Sequence, residues 1–278
     1  MPRALVSRTL TFYLPLWAFL AFLLFPFYWM LITAVKPNRD LYNLAINQLW
    51  TARPTLAHFE TLLARTSFLP WLWNTLVISV GSTAVSLAAS LLAAYAIQRL
   101  RFRGAGALGV GIFLSYLVPP VILFIPLARV INALGLWDHP SALILTYPTF
   151  LIPFATWLLM GYFRSIPVEL EDCARIDGAD RLQVMRHVTL PLALPGILSC
   201  LIFSFTLSWN EYLYALVFLS SSARKTIPVG LATELVTGDV FQWGPLMAGA
   251  LLGSIPVALA YSFFVEHYVA GLTGALKE

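Results

Sequence analysis

The feature that most constrains the fold of this chain is the repeated absence of charged side chains over long stretches. Five stretches contain no Asp, Glu, Lys or Arg: those between Arg8 and Lys36, Arg65 and Arg99, Arg103 and Arg129, Asp138 and Arg164, and Asp239 and Glu266. A sixth apolar stretch, 192–219, is interrupted only by Glu211. A helix of about 20 mostly apolar residues crosses the hydrocarbon core of a bilayer. The sequence therefore predicts six membrane-spanning helices, at about 10–34, 72–97, 106–127, 141–163, 193–219 and 244–268.

Composition agrees with a membrane protein. Hydrophobic residues make up 59% of the chain and charged residues 11%, whereas soluble domains average about 25% charged residues. Buried helices of a soluble core would not repeat six times with so few charges. We therefore expect an all-α integral membrane protein that forms a single domain over residues 1–278 and is surrounded by lipid. The net charge of +4 provides no basic stripe for nucleic acid, and Cys173 and Cys200, in a polar loop and a span, form no disulfide framework.

The N-terminus has two possible interpretations. Arg3 and Arg8 precede an apolar run, as in a signal peptide. The run is longer than the usual hydrophobic region of about 7–15 residues, and no small-x-small cleavage site follows it. An uncleaved first span is the favoured interpretation.

Basic residues in the loops indicate the orientation of the chain. With both termini in the cytoplasm, 10 of the 17 basic residues are inside and 7 are outside. The tight cluster Arg99, Arg101 and Arg103 has no acidic neighbour and favours the cytoplasmic side. The polar loop 164–191 then also lies in the cytoplasm.

The sequence of this cytoplasmic loop predicts two short helices. Pro167 suits a first helical turn, where no backbone N–H is needed. Carboxylates at the start of a helix meet the positive end of its dipole, and three acidic residues occupy the predicted first turn: Glu169, Glu171 and Asp172.

The predicted turn between the two loop helices is at Gly178, which can adopt the left-handed conformation that ends a helix. Asp180 and Gln183 have the spacing of a capping box at the start of the second helix. We expect Leu190-Pro191 to end that helix, because proline disrupts helical hydrogen bonding.

This loop resembles the conserved cytoplasmic loop of ABC-importer permeases, whose pattern is Glu-Ala-Ala, three residues, Gly, nine residues, Ile-x-Leu-Pro. The spacing matches without a gap, with Asp172 in place of Glu, Cys173 in place of Ala and Val188 in place of Ile. The resemblance implies that the loop is a coupling loop that docks on an ATPase subunit. The docking residues it implies are Glu171, Asp172, Cys173, Ala174, Asp177, Gly178, Ala179, Leu190 and Pro191.

The same resemblance implies the architecture of the complex. It predicts a type I ABC-importer permease fold, a homologous second permease subunit, two copies of an ABC ATPase and an extracytoplasmic solute-binding protein. The location would be the cytoplasmic (inner) membrane of a bacterium or archaeon. ATP and Mg²⁺ would be used by the ATPase, and this chain would bind no cofactor.

The residues themselves give no sign of an enzyme. A phosphate-binding loop requires a Gly-Lys step, but Lys36, Lys225 and Lys277 follow Val, Arg and Leu. The four histidines lie in separate segments, so no catalytic or metal site is expected. Energy for transport must then come from another subunit or from an ion gradient.

Further segments are similar to maltose-type carbohydrate permeases, among them Asn74-Thr75-Leu76 and Trp209-Asn210-Glu211-Tyr212. The similarity implies transport of a sugar or related polyol. It also implies that the outer loop at about 220–243 reaches into the solute-binding protein. The candidates for the translocation path are Trp209, Asn210, Glu211 and Tyr212.

Several alternatives remain open at this point. Glu211 could line the path or pair with a loop arginine, since a charge inside a span needs a cavity or a partner. The nearby aromatic residues could form an interfacial belt or stack on sugar rings. The stripe of Ser82, Ser86, Ser90 and Ala94 is predicted to be a helix-packing face. The alternative functions are a secondary transporter driven by an ion gradient and, third, a membrane enzyme.

Overall fold

The computed structural model describes residues 9–43, 45, 47–100, 102–238 and 240–274. Four basic residues used in the orientation argument lie outside the described residues: Arg3, Arg8, Arg101 and Lys277. The described chain forms two compact units. One comprises residues within Met1–Leu69 and Gly230–Ile255, and the other comprises residues within Pro70–Val229 and Pro256–Glu278.

Helices dominate the described chain. The first half contains a π-helical turn (Thr9–Tyr13) followed by α1 (Leu14–Val35), α2 (Asn38–Leu41), α3 (Ala57–Arg65), α4 (Phe68–Arg99), α5 (Ala105–Tyr116), α6 (Pro120–Ala133), α7 (Pro140–Thr146) and α8 (Pro148–Ser165). The second half contains α9 (Val168–Ile176), α10 (Arg181–Val184), a π-helical turn (Met185–Thr189), α11 (Leu190–Leu192), α12 (Leu194–Trp209), α13 (Leu213–Phe218), a 3-10 turn (Ser222–Arg224), α14 (Ile227–Glu234) and α15 (Trp243–Gly274). A short antiparallel hairpin pairs β1 (Val236–Thr237) with β2 (Val240–Phe241).

Within the described residues, four helical segments are long and apolar enough to cross a membrane, and two bent pairs raise the number to as many as six. The continuous segments are Thr11–Val35, Phe68–Arg99, Pro140–Ser165 and Trp243–Phe264. The bent pairs are Ala105–Tyr116 with Pro120–Ala133, at 96°, and Arg181–Leu192 with Leu194–Trp209, at 75°. The structure therefore has the expected all-α membrane architecture.

Two predicted spans are not the single helices that the sequence suggested. Span 106–127 is broken after Tyr116, where Pro119 and Pro120 supply no backbone N–H to continue the helix. In span 193–219 the first helix, α12, ends at Trp209, and the next helix, α13, begins at Leu213. The polar residues between α12 and α13 are therefore part of a helix break.

The unit that contains α1 is held together by a buried lysine at the end of that helix. Lys36 is almost fully buried, and its Nζ donates to the carbonyl oxygens of Asn47 at 3.0 Å and Gln48 at 2.9 Å. His58 lies 2.8 Å from the Lys36 carbonyl oxygen through Nε2. These bonds tie the segment after α1 to the first turn of α3 and satisfy an ammonium group that burial would otherwise destabilise.

The serine stripe of α4 is a packing face, as predicted. Ser82, Ser86, Ser90 and Ala94 are all fully buried. The hydroxyl oxygens of Ser82 and Ser208 are 2.8 Å apart, which joins α4 to α12. Small side chains at steps of four residues allow such close approach of helix backbones.

Candidate functional site

The first helix of loop 164–191 is α9, and its end has the geometry of a Schellman motif. Gly178 has φ +92°. Its N–H bonds the Arg175 carbonyl at 3.1 Å, and the Ala179 N–H bonds the Ala174 carbonyl at 3.0 Å, which is the bond pair that defines this motif. Pro167 precedes the helix as its cap and is not in the first turn as predicted. The predicted turn at Gly178 is confirmed.

The second helix starts at the predicted capping box. Asp180 Oδ1 accepts from the Gln183 N–H, and Gln183 Oε1 accepts from the Asp180 N–H, both at 2.8 Å. The prediction that Leu190-Pro191 ends this helix is wrong, because the helical path continues to Leu192. The preceding π-helical turn shifts bonding to i−5, with the Leu190 N–H on Met185 O. Pro191 has no N–H to donate, but it directly follows the turn in which the hydrogen bonds shift from i−4 to i−5. The helical path therefore continues past it.

Glu171 is the part of the predicted docking set that points into the protein. Its side chain is 7% exposed, and Oε1 lies 2.7 Å from Arg99 Nε. The buried hydroxyl of Thr189 donates to the same oxygen at 2.9 Å. Glu171 is thus an internal anchor that fixes α9 to the end of α4.

The remaining predicted docking residues lie at or near the surface. Asp172 is exposed and 3.4 Å from Arg175 Nη1, a solvent-exposed pair that contributes little to stability. Exposed or half-buried positions are occupied by Cys173, Ala174, Asp177, Gly178, Ala179, Leu190 and Pro191. The structure therefore separates the set into one anchoring residue and an outward-facing remainder.

Large apolar side chains are exposed on both loop helices. Ile176 is 85% exposed, Leu182 is 67% exposed and Leu170 is 46% exposed. Such side chains in a polar loop are typical of a surface that binds another protein. The sequence analysis did not identify Ile176 and Leu182, although large apolar residues in a charged loop can indicate a binding surface. It used Arg99 only for orientation and missed its contact with Glu171.

The predicted path residues surround the break between α12 and α13. Trp209 is buried, while Asn210 and Tyr212 are exposed. Glu211 Oε1 accepts from the Tyr214 N–H at 2.8 Å, and Oε2 accepts from the Ala215 N–H at 3.1 Å. The carboxylate therefore caps α13. Among the described residues it forms no ion pair with an arginine, and both alternatives for its role stay predictions.

Asp138 joins two segments between the predicted spans. It has φ +56°, and its Oδ1 accepts from the N–H groups of Ser220 at 2.9 Å and Ser221 at 3.0 Å. Burial raises the pKa of Asp138, but these bonds, the bond from the Ser221 hydroxyl and the nearby Arg224 outweigh it and hold the pKa below its usual value. The start of the predicted outer loop is consequently fastened in place.

Hydrogen bonds also hold the next residues of that predicted loop. Trp71 Nε1 donates to Ser222 O at 2.7 Å, and Asn74 Nδ2 donates to Ala223 O at 2.9 Å. Beyond it, Leu231 in α14 and Leu235, between α14 and β1, are buried. The described residues of 220–243 therefore include helical and hairpin structure.

No group of three His, Cys, Asp or Glu side chains that could hold a metal ion occurs in the part of the chain that the structure describes. The site is therefore a set of anchoring contacts, exposed apolar side chains and helix breaks. Such an arrangement can bind a partner and move with it.

Comparison with known proteins agrees with these features. The family described as binding-protein-dependent transport system inner membrane component matches residues 86–273. The inner membrane ABC transporter permease protein YcjP of Escherichia coli (strain K12) is 37% identical over 278 residues, covering 98% of each chain. The trehalose/maltose transport system permease protein MalG of Thermococcus litoralis is 31% identical over 258 residues, covering 91% of each chain.

A solved structure shows the same fold. It is the crystal structure of a bacterial ABC transporter involved in the import of alginate, with a TM-score of 0.78 and 22% identity, covering 92% of this chain and 94% of the other. The expected type I importer permease fold is confirmed, and the ion-gradient alternative finds no support. This multi-pass chain belongs to the family of inner membrane components of binding-protein-dependent transport systems.

Proposed function

We propose that the chain is a single permease domain that forms half of a translocation path for a sugar or related polyol. It would pair with a homologous second permease, receive solute from an extracytoplasmic binding protein and be driven by two copies of an ABC ATPase. Both termini and loop 164–191 would lie in the cytoplasm. The observation that carries the proposal is the exposed apolar surface of that loop.

The loop has the properties of a docking element. Its outer surface carries Ile176, Leu182 and Leu170, while its inner side is fixed by the buried bond between Arg99 and Glu171. An apolar surface gains free energy when a partner removes it from water. A rigid support lowers the entropy cost of that association. The geometry therefore favours a protein partner on the cytoplasmic side.

The substrate class is supported by the names of relatives. One is the sulfoquinovosyl glycerol permease protein SmoH of Agrobacterium fabrum, 36% identical over 256 residues. Another is the diacetylchitobiose permease protein DasC of Streptomyces coelicolor, 33% identical over 258 residues. Their common chemistry is a glycoside with many hydroxyl groups. The aromatic and amide side chains at the α12–α13 break suit such a solute, because aromatic faces and hydrogen-bonding groups recognise sugars together.

The proposal is tested by isolating the complex from the host of this protein with an affinity tag on the chain. We expect an ABC ATPase to co-purify with the wild-type chain and with Ile176→Leu, but not with Ile176→Asp. The leucine variant is the matched control, because it keeps an apolar side chain of similar size. ATP-driven uptake of radiolabelled maltose and trehalose is then measured in proteoliposomes with the co-encoded binding protein.

The outcomes are distinct. An ATPase that stays bound to Ile176→Asp would remove the docking role of the loop. Uptake of solute in the absence of ATP would contradict ATP-driven transport. Uptake of neither disaccharide, together with ATP-dependent uptake of a non-glycoside, would overturn the substrate class alone.

A further inference from the structure

We propose that Arg99 is a positioning residue that makes membrane helix α4 move with the coupling loop. This inference rests on the proposed docking of the loop on an ATPase. Arg99 is the last residue of α4, which runs over Phe68–Arg99. Its guanidinium lies where the ends of two membrane helices meet the loop.

The guanidinium makes three contacts with good geometry. Nε donates to Glu171 Oε1 at 2.7 Å. Nη2 donates to the carbonyl oxygens of Phe163 at 2.8 Å and Ile166 at 2.9 Å, in the last turn of α8 and at its C-cap. The Arg99 side chain is 7% exposed, so these bonds have little competition from water.

The carboxylate extends the connection to the second half of the loop. Glu171 Oε1 also accepts from Thr189 Oγ1 at 2.9 Å, and Thr189 is fully buried. Thr189 is the last residue of the π-helical turn that leads to α11 and α12. One ion pair therefore joins the ends of α4 and α8 to both halves of the loop.

The ion pair of Arg99 and Glu171 matters most for α4, because α4 does not adjoin the loop in sequence. The loop is directly continuous with α8 at one end and leads into α12 at the other. In contrast, α4 is followed by the separate segment that leads to α5. Its connection to the loop is therefore non-covalent.

Packing also links α4 to the loop, because Ala94 and Tyr95 belong to a buried hydrophobic cluster against which Met185 and Leu190 pack. A cavity of about 220 Å³ lies between the last turns of α4 and the loop, and its lining includes Tyr95, Gln98, Glu171 and Arg175. A contact from the Tyr95 hydroxyl to Arg181 O spans 3.5 Å, at the long limit for a hydrogen bond. The short bonds of Arg99 thus add a directional connection beside this cavity to the less directional hydrophobic packing.

Lysine cannot reproduce this junction. Arginine presents several donors in a fixed plane, whereas lysine carries a compact charge on a flexible stem. Arg99→Lys keeps the positive charge but cannot hold the carboxylate and two carbonyls in the same geometry. The variant therefore separates a positioning role from a simple need for charge.

The test measures solute molecules transported per ATP hydrolysed by assembled, ATPase-containing complexes in proteoliposomes. We expect Arg99→Lys to retain bound ATPase and hydrolysis, while uptake per ATP falls by about tenfold, within the range of single-site effects on coupling. Glu171→Gln, which keeps the shape and an acceptor oxygen, should lower the ratio less. Arg103→Lys is the matched control, because Arg103 is exposed, and its ratio should equal that of the wild type.

The ratio counts assembled complexes only, so a lower yield does not affect it. A wild-type ratio in Arg99→Lys, or in Glu171→Gln if the lysine variant does not assemble, would overturn the positioning role. A proportional fall in uptake and hydrolysis would also overturn it, since that outcome indicates structural damage alone. Failure of the proposed docking appears separately, as an ATPase that stays bound to Ile176→Asp.

Discussion

The carboxylate of Glu211 accepts a hydrogen bond from the backbone N–H of Tyr214 at 2.8 Å, three residues further along the chain. A side-chain oxygen in this relation satisfies a donor that a helix start otherwise leaves free. The charged residue within the fifth predicted span therefore has a structural role at the break between α12 and α13.

We expect Glu211→Ala to destabilise this break by about 0.5–2 kcal/mol, as loss of a helix cap does. The purified subunit should then melt at a lower temperature. Glu211→Gln is the matched control, because its amide oxygen can still accept from Tyr214. If Glu211 serves only to line the path, both variants should melt like the wild type and differ in uptake.

A second prediction concerns the turn at Gly178. Its φ of +92° is strained for most residues with a Cβ, although no heavy atom beyond the adjacent residues lies within 4 Å of the position a Cβ would take. Gly178→Val should cost about 1–3 kcal/mol through backbone strain alone and misdirect α10. We expect normal membrane insertion, loss of the ATPase on purification and loss of uptake.

The control at this turn is Gly178→Asn, because asparagine adopts positive φ more readily than other side chains. It should retain most of the bound ATPase and of the uptake. Full activity of Gly178→Val would show that the turn geometry is not needed for coupling.

A third prediction tests the orientation. In a background without Cys173 and Cys200, Asp180→Cys should be protected from an impermeant thiol reagent in intact cells. Ala52→Cys and Thr237→Cys, at exposed positions, should be labelled. Labelling of position 180 from outside would place the loop on the side away from the ATPase.

The fourth prediction concerns pH. Because contacts in the folded state lower the pKa of Asp138, its ionised form is favoured by folding. The stabilisation is complete above the unfolded pKa and is lost as the pH falls below about 4. Asp138→Asn should therefore lower the melting temperature at neutral pH and flatten its decline in acid.

Thermal unfolding at several pH values checks this prediction. Asparagine tolerates the positive φ at this position, so the change tests the charge and not the backbone. Asp177→Asn, on the exposed loop surface, is the control and should melt like the wild type. Identical acid profiles for Asp138→Asn and the wild type would contradict the proposed contribution.

The sequence predicted the number and order of the apolar segments, because crossing a bilayer requires long charge-free runs. It could not predict which prolines break them. Pro26, Pro153 and Pro256 lie inside helices, whereas Pro119 and Pro120 follow a break. The outcome depends on whether neighbouring groups satisfy the freed backbone atoms, which local sequence does not reveal.

The loop shows a similar limit. Its two helices, the glycine turn and the capping box follow from local residue chemistry, and all are present. Glu171 faces inward and the adjacent Asp172 does not, because Arg99, 72 positions away in the sequence, binds Glu171. Neighbouring helical residues point in different directions, so only the tertiary structure distinguishes the anchor from the exposed carboxylate.

The 96° bend between α5 and α6 has a consequence for the life of the subunit in the cell. At a break within a predicted span, backbone polar groups must be covered by protein or reached by water, because lipid cannot hydrogen-bond to them. A newly inserted subunit that has not yet bound its partner subunits would expose this bend to the acyl chains of the lipids. Its survival in the membrane should therefore depend on prompt assembly, and unassembled copies should be preferred substrates of membrane proteases.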